Sequence, residues 1–149
     1  MIKLTDVLQG VTRLGFDTAP LIYFVERHPD YVAVVREVFR QVDIGTLEGF
    51  TGMTSYAEVL VMPKRLNNKS LEEAYHDVLF SSRNFSTIAI DTDIADRAAD
   101  LRSRYKVKLP DALQVATALE AKCGAFLTND EALGAVTDLC VIVLKDIEL

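Results

Sequence analysis

Leu109-Pro110-Asp111-Ala112-Leu113-Gln114-Val115-Ala116-Thr117-Ala118-Leu119-Glu120-Ala121-Lys122-Cys123-Gly124-Ala125-Phe126-Leu127-Thr128-Asn129-Asp130 has the pattern of a helix followed by a buried strand, with an acid near each outer end. Pro110 suits the first helical position, where its missing N–H costs nothing, and Asp111 falls among the free amides of the first turn. Leu113, Val115, Ala116, Leu119 and Cys123 recur at helical spacing, Gly124 supplies a stop, and Phe126-Leu127-Thr128 reads as a short buried strand running to Asp130. In a parallel α/β sheet, strand C-termini and helix N-termini crowd one edge, so Asp111 and Asp130 are expected to face one crevice. Two acids in one crevice suggest a metal.

Outward from this stretch the same grammar repeats. Leu14-Gly15-Phe16 forms an expected first strand ending on Asp17, with Thr18 as N-cap and Pro20 early in a helix that carries Leu21, Ile22, Phe24 and Val25. After the His28-Pro29-Asp30 turn, Val34, Val35, Val38, Phe39 and Val42 line one face of a helix from about Tyr31 to Val42. Phe50 to Met53 is a brief second strand. Ser55 and Glu58 then have the spacing of a capping box, and Pro63 is expected to close that helix. Ser70 and Glu73 look like a second box, opening a helix through about Phe80. Phe85 to Ile90 alternates as a third strand, a helix follows with Ile94, Ala95, Ala98, Leu101 and Tyr105 in register, and Val141 to Leu144 makes a last strand. Met1 to about Thr12 reads as a lead-in with little periodicity. Strands alternating with helices along the chain predict a three-layer α/β/α domain with a small, mainly parallel central sheet.

Composition bounds the rest. With 149 residues, half of them hydrophobic, one domain over 1–149 is expected, large enough to bury a core without disulfides or a structural metal. The net charge of −6 argues against holding nucleic acid by bulk charge. Setting Asp17, Glu58, Asp111 and Asp130 aside as one metal site takes −6 to −2, so a polyanionic substrate is not excluded. Cys123 and Cys140 show no CxxC spacing, and His28 and His76 no paired ligand spacing, which disfavours zinc or a disulfide framework and fits a reducing, cytoplasmic setting. No apolar run approaches a membrane span, and the N-terminus lacks the order of a signal peptide.

Cations form two groups: Arg102, Arg104, Lys106 and Lys108 just before Asp111, and Lys64, Arg65 and Lys69 as a possible second flank. They suit either the negative end of a helix dipole or contact with phosphates beside a scissile bond.

The order Leu14-Gly15-Phe16-Asp17-Thr18, Ser55-x-x-Glu58, Leu109-Pro110-Asp111-Ala112-Leu113 and Thr128-Asn129-Asp130 resembles the PIN domain, in particular VapC-type toxin ribonucleases, over nearly the whole chain. The resemblance implies an acidic pocket that holds Mg²⁺ or Mn²⁺ and cuts RNA. Asp17 and Asp111 match the principal metal-binding aspartates, Glu58 the glutamate, Asp130 the fourth acid, and Thr128 the hydroxyl residue beside it. Thr18 and Thr128, with the cations of the first group, are the expected substrate contacts. The resemblance further implies a homodimer and a small antitoxin partner, and the lead-in before Asp17 is longer than in the shortest members.

The chemistry points the same way. Mg²⁺ uses one or two carboxylates and keeps several waters, so acids without histidine suit it better than zinc. Packed carboxylates raise one another's pKa, and a cation removes that cost. Two rivals remain. One is a PIN-like module that binds RNA or protein without cutting. The other is a phosphorylation receiver using Asp17, Asp91, Thr128 and Lys145, which would leave Glu58 and Asp111 unused; a phosphatase with Asp91 as nucleophile fits less well, since too little chain follows it.

Overall fold

The computed structural model describes residues 1–149. In chain order the elements are β1 (Ile2–Lys3), α1 (Leu4–Val7), β2 (Arg13–Phe16), α2 (Thr18–Val25), α3 (Val32–Asp43), β3 (Glu48–Gly52), α4 (Met53–Arg65), α5 (Lys69–Ser81), β4 (Phe85–Ile88), α6 (Thr92–Arg104), α7 (Leu109–Glu120), β5 (Ala125–Thr128), β6 (Cys140–Val143) and β7 (Ile147–Glu148). Short 3₁₀ turns fill Glu131–Ala135 and Leu144–Asp146.

The main sheet has the order β4-β3-β2-β5-β6, and each neighbouring pair is parallel. Strand side chains alternate between two cores, as the period of two requires. Leu14, Phe16, Ala125 and Leu127 join Leu21, Val35, Val38, Tyr75 and Leu79 on the α2, α3 and α5 side. Phe50 and Phe126 join Ile94, Ala98, Leu101, Val115 and Ala116 on the α6 and α7 side. The result is the three-layer α/β/α arrangement, built around a mainly parallel sheet.

The topology also locates a crevice. From β2 the chain moves outward to β3 and β4; from β5, the other neighbour of β2, it moves the opposite way to β6. Adjacent strands whose connections diverge leave an opening at their C-terminal ends, and Asp17 and Asp130 follow those two strands. Helix α7 closes one side by unusually near packing: a Cβ on Gly15 would lie 2.7 Å from Ala118 Cβ.

Several local expectations are corrected. The lead-in is structured: β1 pairs in parallel with β7, and Leu4 and Leu8 are buried in the first core. That pairing joins residues from opposite ends of the sequence, so no local period announces it. Asp17, rather than Thr18, is the N-cap of α2, accepting from Thr18 N at 2.8 Å. Neither S-x-x-E pair is a capping box. Gly52 caps α4, and Asn68 caps α5 through its side chain, so Ser55 and Ser70 lie inside helices. Pro63 does not end α4, which continues to Arg65. Asn67 does so in the left-handed region, with Asn68 N donating to Pro63 O at 2.8 Å and Asn67 N to Lys64 O at 3.2 Å. Pro110 occupies the second helical position after Lys108 as N-cap, and Lys122 at φ 59°, rather than Gly124, makes the left-handed stop of α7. Strand β4 ends at Ile88, two residues short of the expected boundary.

Candidate active site

Asp17 ends β2 and continues its ladder, its backbone N donating to Leu127 O at 2.9 Å. Its side chain is buried: Oδ1 accepts from Thr18 N, and Oδ2 accepts from Thr128 Oγ1 at 2.7 Å. Thr128 Oγ1 in turn accepts from Asp130 N at 3.0 Å, which ties the turn after β5 to the same carboxylate. Asp130 is exposed and caps the following 3₁₀ turn by accepting from Ala132 N at 3.0 Å. Asp111, half-buried in the first turn of α7, has no side-chain hydrogen bond. Glu58, exposed on α4, accepts from Thr18 Oγ1 at 3.0 Å.

These acids feel one another. Burial pushes the Asp17 carboxyl above its ordinary range, against the hydrogen bonds from Thr128 and Thr18, and the charges of Glu58 and Asp130 push the same way. Burial also raises Asp111, with Asp17 and Asp130 adding to it and Lys108 opposing. No lysine or arginine pairs with any of the four. As they stand, no three of the acids converge to enclose an ion by themselves. The donor set nonetheless fits a hard divalent cation: it is all oxygen, it carries excess negative charge with no protein counter-ion, and an ion such as Mg²⁺ that keeps its waters needs only one or two direct carboxylates.

A family model for the PIN domain matches residues 16–139. The chain belongs to the PIN domain family. Solved structures of similar fold include a toxin–antitoxin complex from Klebsiella pneumoniae, at 26% identity and TM-score 0.65, covering 89% of this chain and 97% of that one. Another is VapBC2 from Rickettsia felis bound to a DNA fragment of its promoter, at 16% identity and TM-score 0.69, covering 89% and 98%. A third is FitAcB from Neisseria gonorrhoeae, at 18% and 0.66, covering 88% and 96%. Among curated proteins no sequence matches. PIN domains are, as a family, nucleases that work with divalent metal ions.

The other expected site residues divide by what they touch. Thr18 stands between Glu58 and Ser55. Arg104 is taken up by Asp100 at 2.8 Å and Asp138 at 2.7 Å, so it fastens α6 to the segment before β6. Arg102 Nε donates to Val107 O at 3.2 Å. Lys106 and Lys108 are exposed and in no ion pair, whereas Lys64 and Lys69 both pair with Glu72. The receiver arrangement does not form: Asp91 lies beyond the edge strand β4, two strands from β2, where it caps α6 by accepting from Ile94 N at 2.9 Å, and Lys145 is paired with Glu131.

Two residues of the site escaped sequence reading. Ser55 has the spacing of a helix cap, and Gln114 belongs to no motif. Gln114 Nε2 donates to Ser55 Oγ. The available signal is a glutamine among the alanines, the valine and the single threonine of the buried α7 face.

No helix is long and apolar enough to cross a membrane. Cys123 is buried and Cys140 exposed, and both are free.

Proposed function

We propose that this PIN domain is a metal-dependent endoribonuclease, the toxin of a type II toxin–antitoxin pair acting in the cytoplasm, that hydrolyses RNA phosphodiester bonds with Mg²⁺ or Mn²⁺. What supports the reading is that Asp17 and Asp130 follow the two diverging strands, that the charges of Glu58 and Asp130 raise Asp17 and those of Asp17 and Asp130 raise Asp111, and that none of the four acids is in an ion pair. Asp17 and Asp111 would hold the ion, and Glu58 and Asp130 would serve as hydrogen-bond acceptors for water at the site. A divalent ion there would supply a nucleophile at neutral pH and offset charge on the scissile phosphate. Lys106 and Lys108 are free to meet phosphates flanking the cut, and Thr18 and Thr128 keep the two carboxylates they touch in place.

The toxin assignment draws on the complexes among the fold neighbours. Its antitoxin has a surface to meet on the helical layer away from α7. There two adjoining hollows share Phe24 and Arg36, with Phe39 lining one and Val78 the other. Arg27 and Arg36 are in no ion pair, whereas Arg83 is held by Asp43 at 3.0 Å, so the surface suits a segment whose apolar residues meet the hollows and whose acidic residues meet Arg27 and Arg36. A homodimer completes the proposed assembly.

The deciding experiment is cleavage of structured RNAs with Mg²⁺ or Mn²⁺ by the native chain, Asp17→Asn and Asp111→Asn. Loss of cutting in both folded variants is expected; undiminished cutting in both would identify a contaminating nuclease and end the proposal.

A further inference from the structure

Gln114 sits on the inward face of α7 and is 2% exposed, yet its carbonyl Oε1 has no hydrogen-bond partner. A buried acceptor without a partner is destabilising, and a leucine at this place would avoid that cost. Room for the amide is made by Gly52, where a Cβ would stand 2.7 Å from Gln114 Oε1 and 3.1 Å from Thr117 Oγ1. A polar side chain kept at a cost, with a glycine opposite it, calls for a role beyond filling the core.

The amide's other end shows what that role is. Gln114 Nε2 donates to the fully buried Ser55 Oγ, Ser55 Oγ lies 2.8 Å from Thr18 Oγ1, and Thr18 Oγ1 donates to Glu58 Oε1 at 3.0 Å. A hydroxyl has a single hydrogen. Thr18 gives its own to the carboxylate, so the hydrogen between the two hydroxyls comes from Ser55, and Ser55 must accept from Gln114. The chain therefore has one direction, from an amide in the core to a carboxylate at the surface, and it locks α7, α4 and the start of α2 together.

We propose that Gln114 is a positioning residue which, through Ser55 and Thr18, aims the Glu58 carboxylate at the cation site beside Asp17. Glu58 is exposed and on a long side chain, so without this chain its carboxylate would sample solvent. The inference rests on the reading of the four acids as a cation site. Glu58 is itself an outer partner of the proposed ion, a class that typically carries about 10–100-fold of metal affinity, and Gln114 acts only through it, so its effect is bounded by that of Glu58.

The test measures Mn²⁺ affinity of the folded protein by calorimetry, with a thermal melt beside each titration and no RNA present. Gln114→Leu is expected to weaken Mn²⁺ binding by up to about tenfold and by no more than Glu58→Ala does, and Ser55→Ala, a smaller change in the same chain, to do likewise if the first variant fails to fold. In a Glu58→Ala background both substitutions should lose their effect, because the residue through which they act is gone. A lowered melting temperature with Mn²⁺ affinity unchanged in both variants would make Gln114 a purely structural residue and overturn the inference while leaving the cation site intact. Additive losses in the Glu58→Ala background would overturn it too. No Mn²⁺ binding by the native chain would remove the cation-site reading and this inference together.

Discussion

Thr128 Oγ1 donates to Asp17 Oδ2 at 2.7 Å, joining residues 111 positions apart at the ends of two adjacent parallel strands. The hydroxyl also accepts from Asp130 N, so one buried oxygen orients two of the four acids. Thr128→Val keeps the shape and removes both bonds, leaving a buried carboxylate oxygen and an N–H short of partners. Chemical denaturation at neutral pH should show a loss of about 1–3 kcal/mol, with Thr128→Ser close to native. A valine variant of native stability would mean the hydroxyl contributes nothing.

Asp17 and Asp111 sit above the ordinary carboxylate range in the folded protein. The native state therefore holds protons more tightly than the unfolded chain, and the stability these groups contribute is lost as pH rises from 3.8 through their raised values. Glu37 and Asp138, each held down to about 2 by arginine, act in the opposite sense but are common to native and variant proteins. Metal-free Asp17→Asn should thus equal or exceed the native protein in melting temperature at pH 7, by a few degrees at about 2–4 °C per kcal/mol, and converge with it toward acid pH. A native chain more stable than Asp17→Asn at pH 7 without metal would contradict this electrostatic picture.

A divalent cation should reverse that order. Ligand bound only by the folded state adds about 2.7 kcal/mol at a hundredfold excess over Kd. Melts with increasing Mg²⁺ or Mn²⁺ are expected to climb for the native chain and stay flat for Asp17→Asn and Asp111→Asn. Equal climbs in all three proteins would place any bound ion elsewhere.

The basic residues before Asp111 should separate into two classes. Lys106→Gln and Lys108→Gln are expected to leave melting unchanged and to weaken RNA binding, each lowering the log–log slope of affinity against salt by roughly 0.7 for every phosphate it neutralised. Arg104→Gln should instead lower the melting temperature, since it frees Asp100 and Asp138 together. Comparison of binding isotherms at several salt concentrations with thermal melts distinguishes the classes, and reversed behaviour would exchange their roles.

Leu4 belongs to the core even though nothing around it in sequence repeats. Leu4→Ala is expected to cost about 2–5 kcal/mol, the range for a leucine deleted from a packed interior. A urea-unfolding midpoint equal to the native one would show that β1 and α1 are loosely attached.

How far the chain could be read in advance depended on the range of the interaction. The strand–helix alternation, and the position of each of the four acids on its own element, follow from periodicity and turn chemistry within a few residues. Errors came where a local motif had a stronger distant competitor. Ser55 has the spacing of a cap, but α4 already begins at Met53, and Ser55 is claimed by Thr18 and Gln114 instead. Arg104 has the position of a dipole or phosphate cation, yet Asp138, 34 residues away, takes it.

A parallel α/β domain with acids after its strands is legible from residue order, because apolar period, proline placement and strand length act through neighbouring residues. Long-range packing sets the rest: β2 and β5 lie side by side with diverging exits, β1 closes against β7, and a core glutamine reaches Glu58 through two hydroxyls. Those partnerships depend on which surfaces pack together and in what register, and hydrogen bonds of about 3 Å reach have no signature in residues dozens of positions apart.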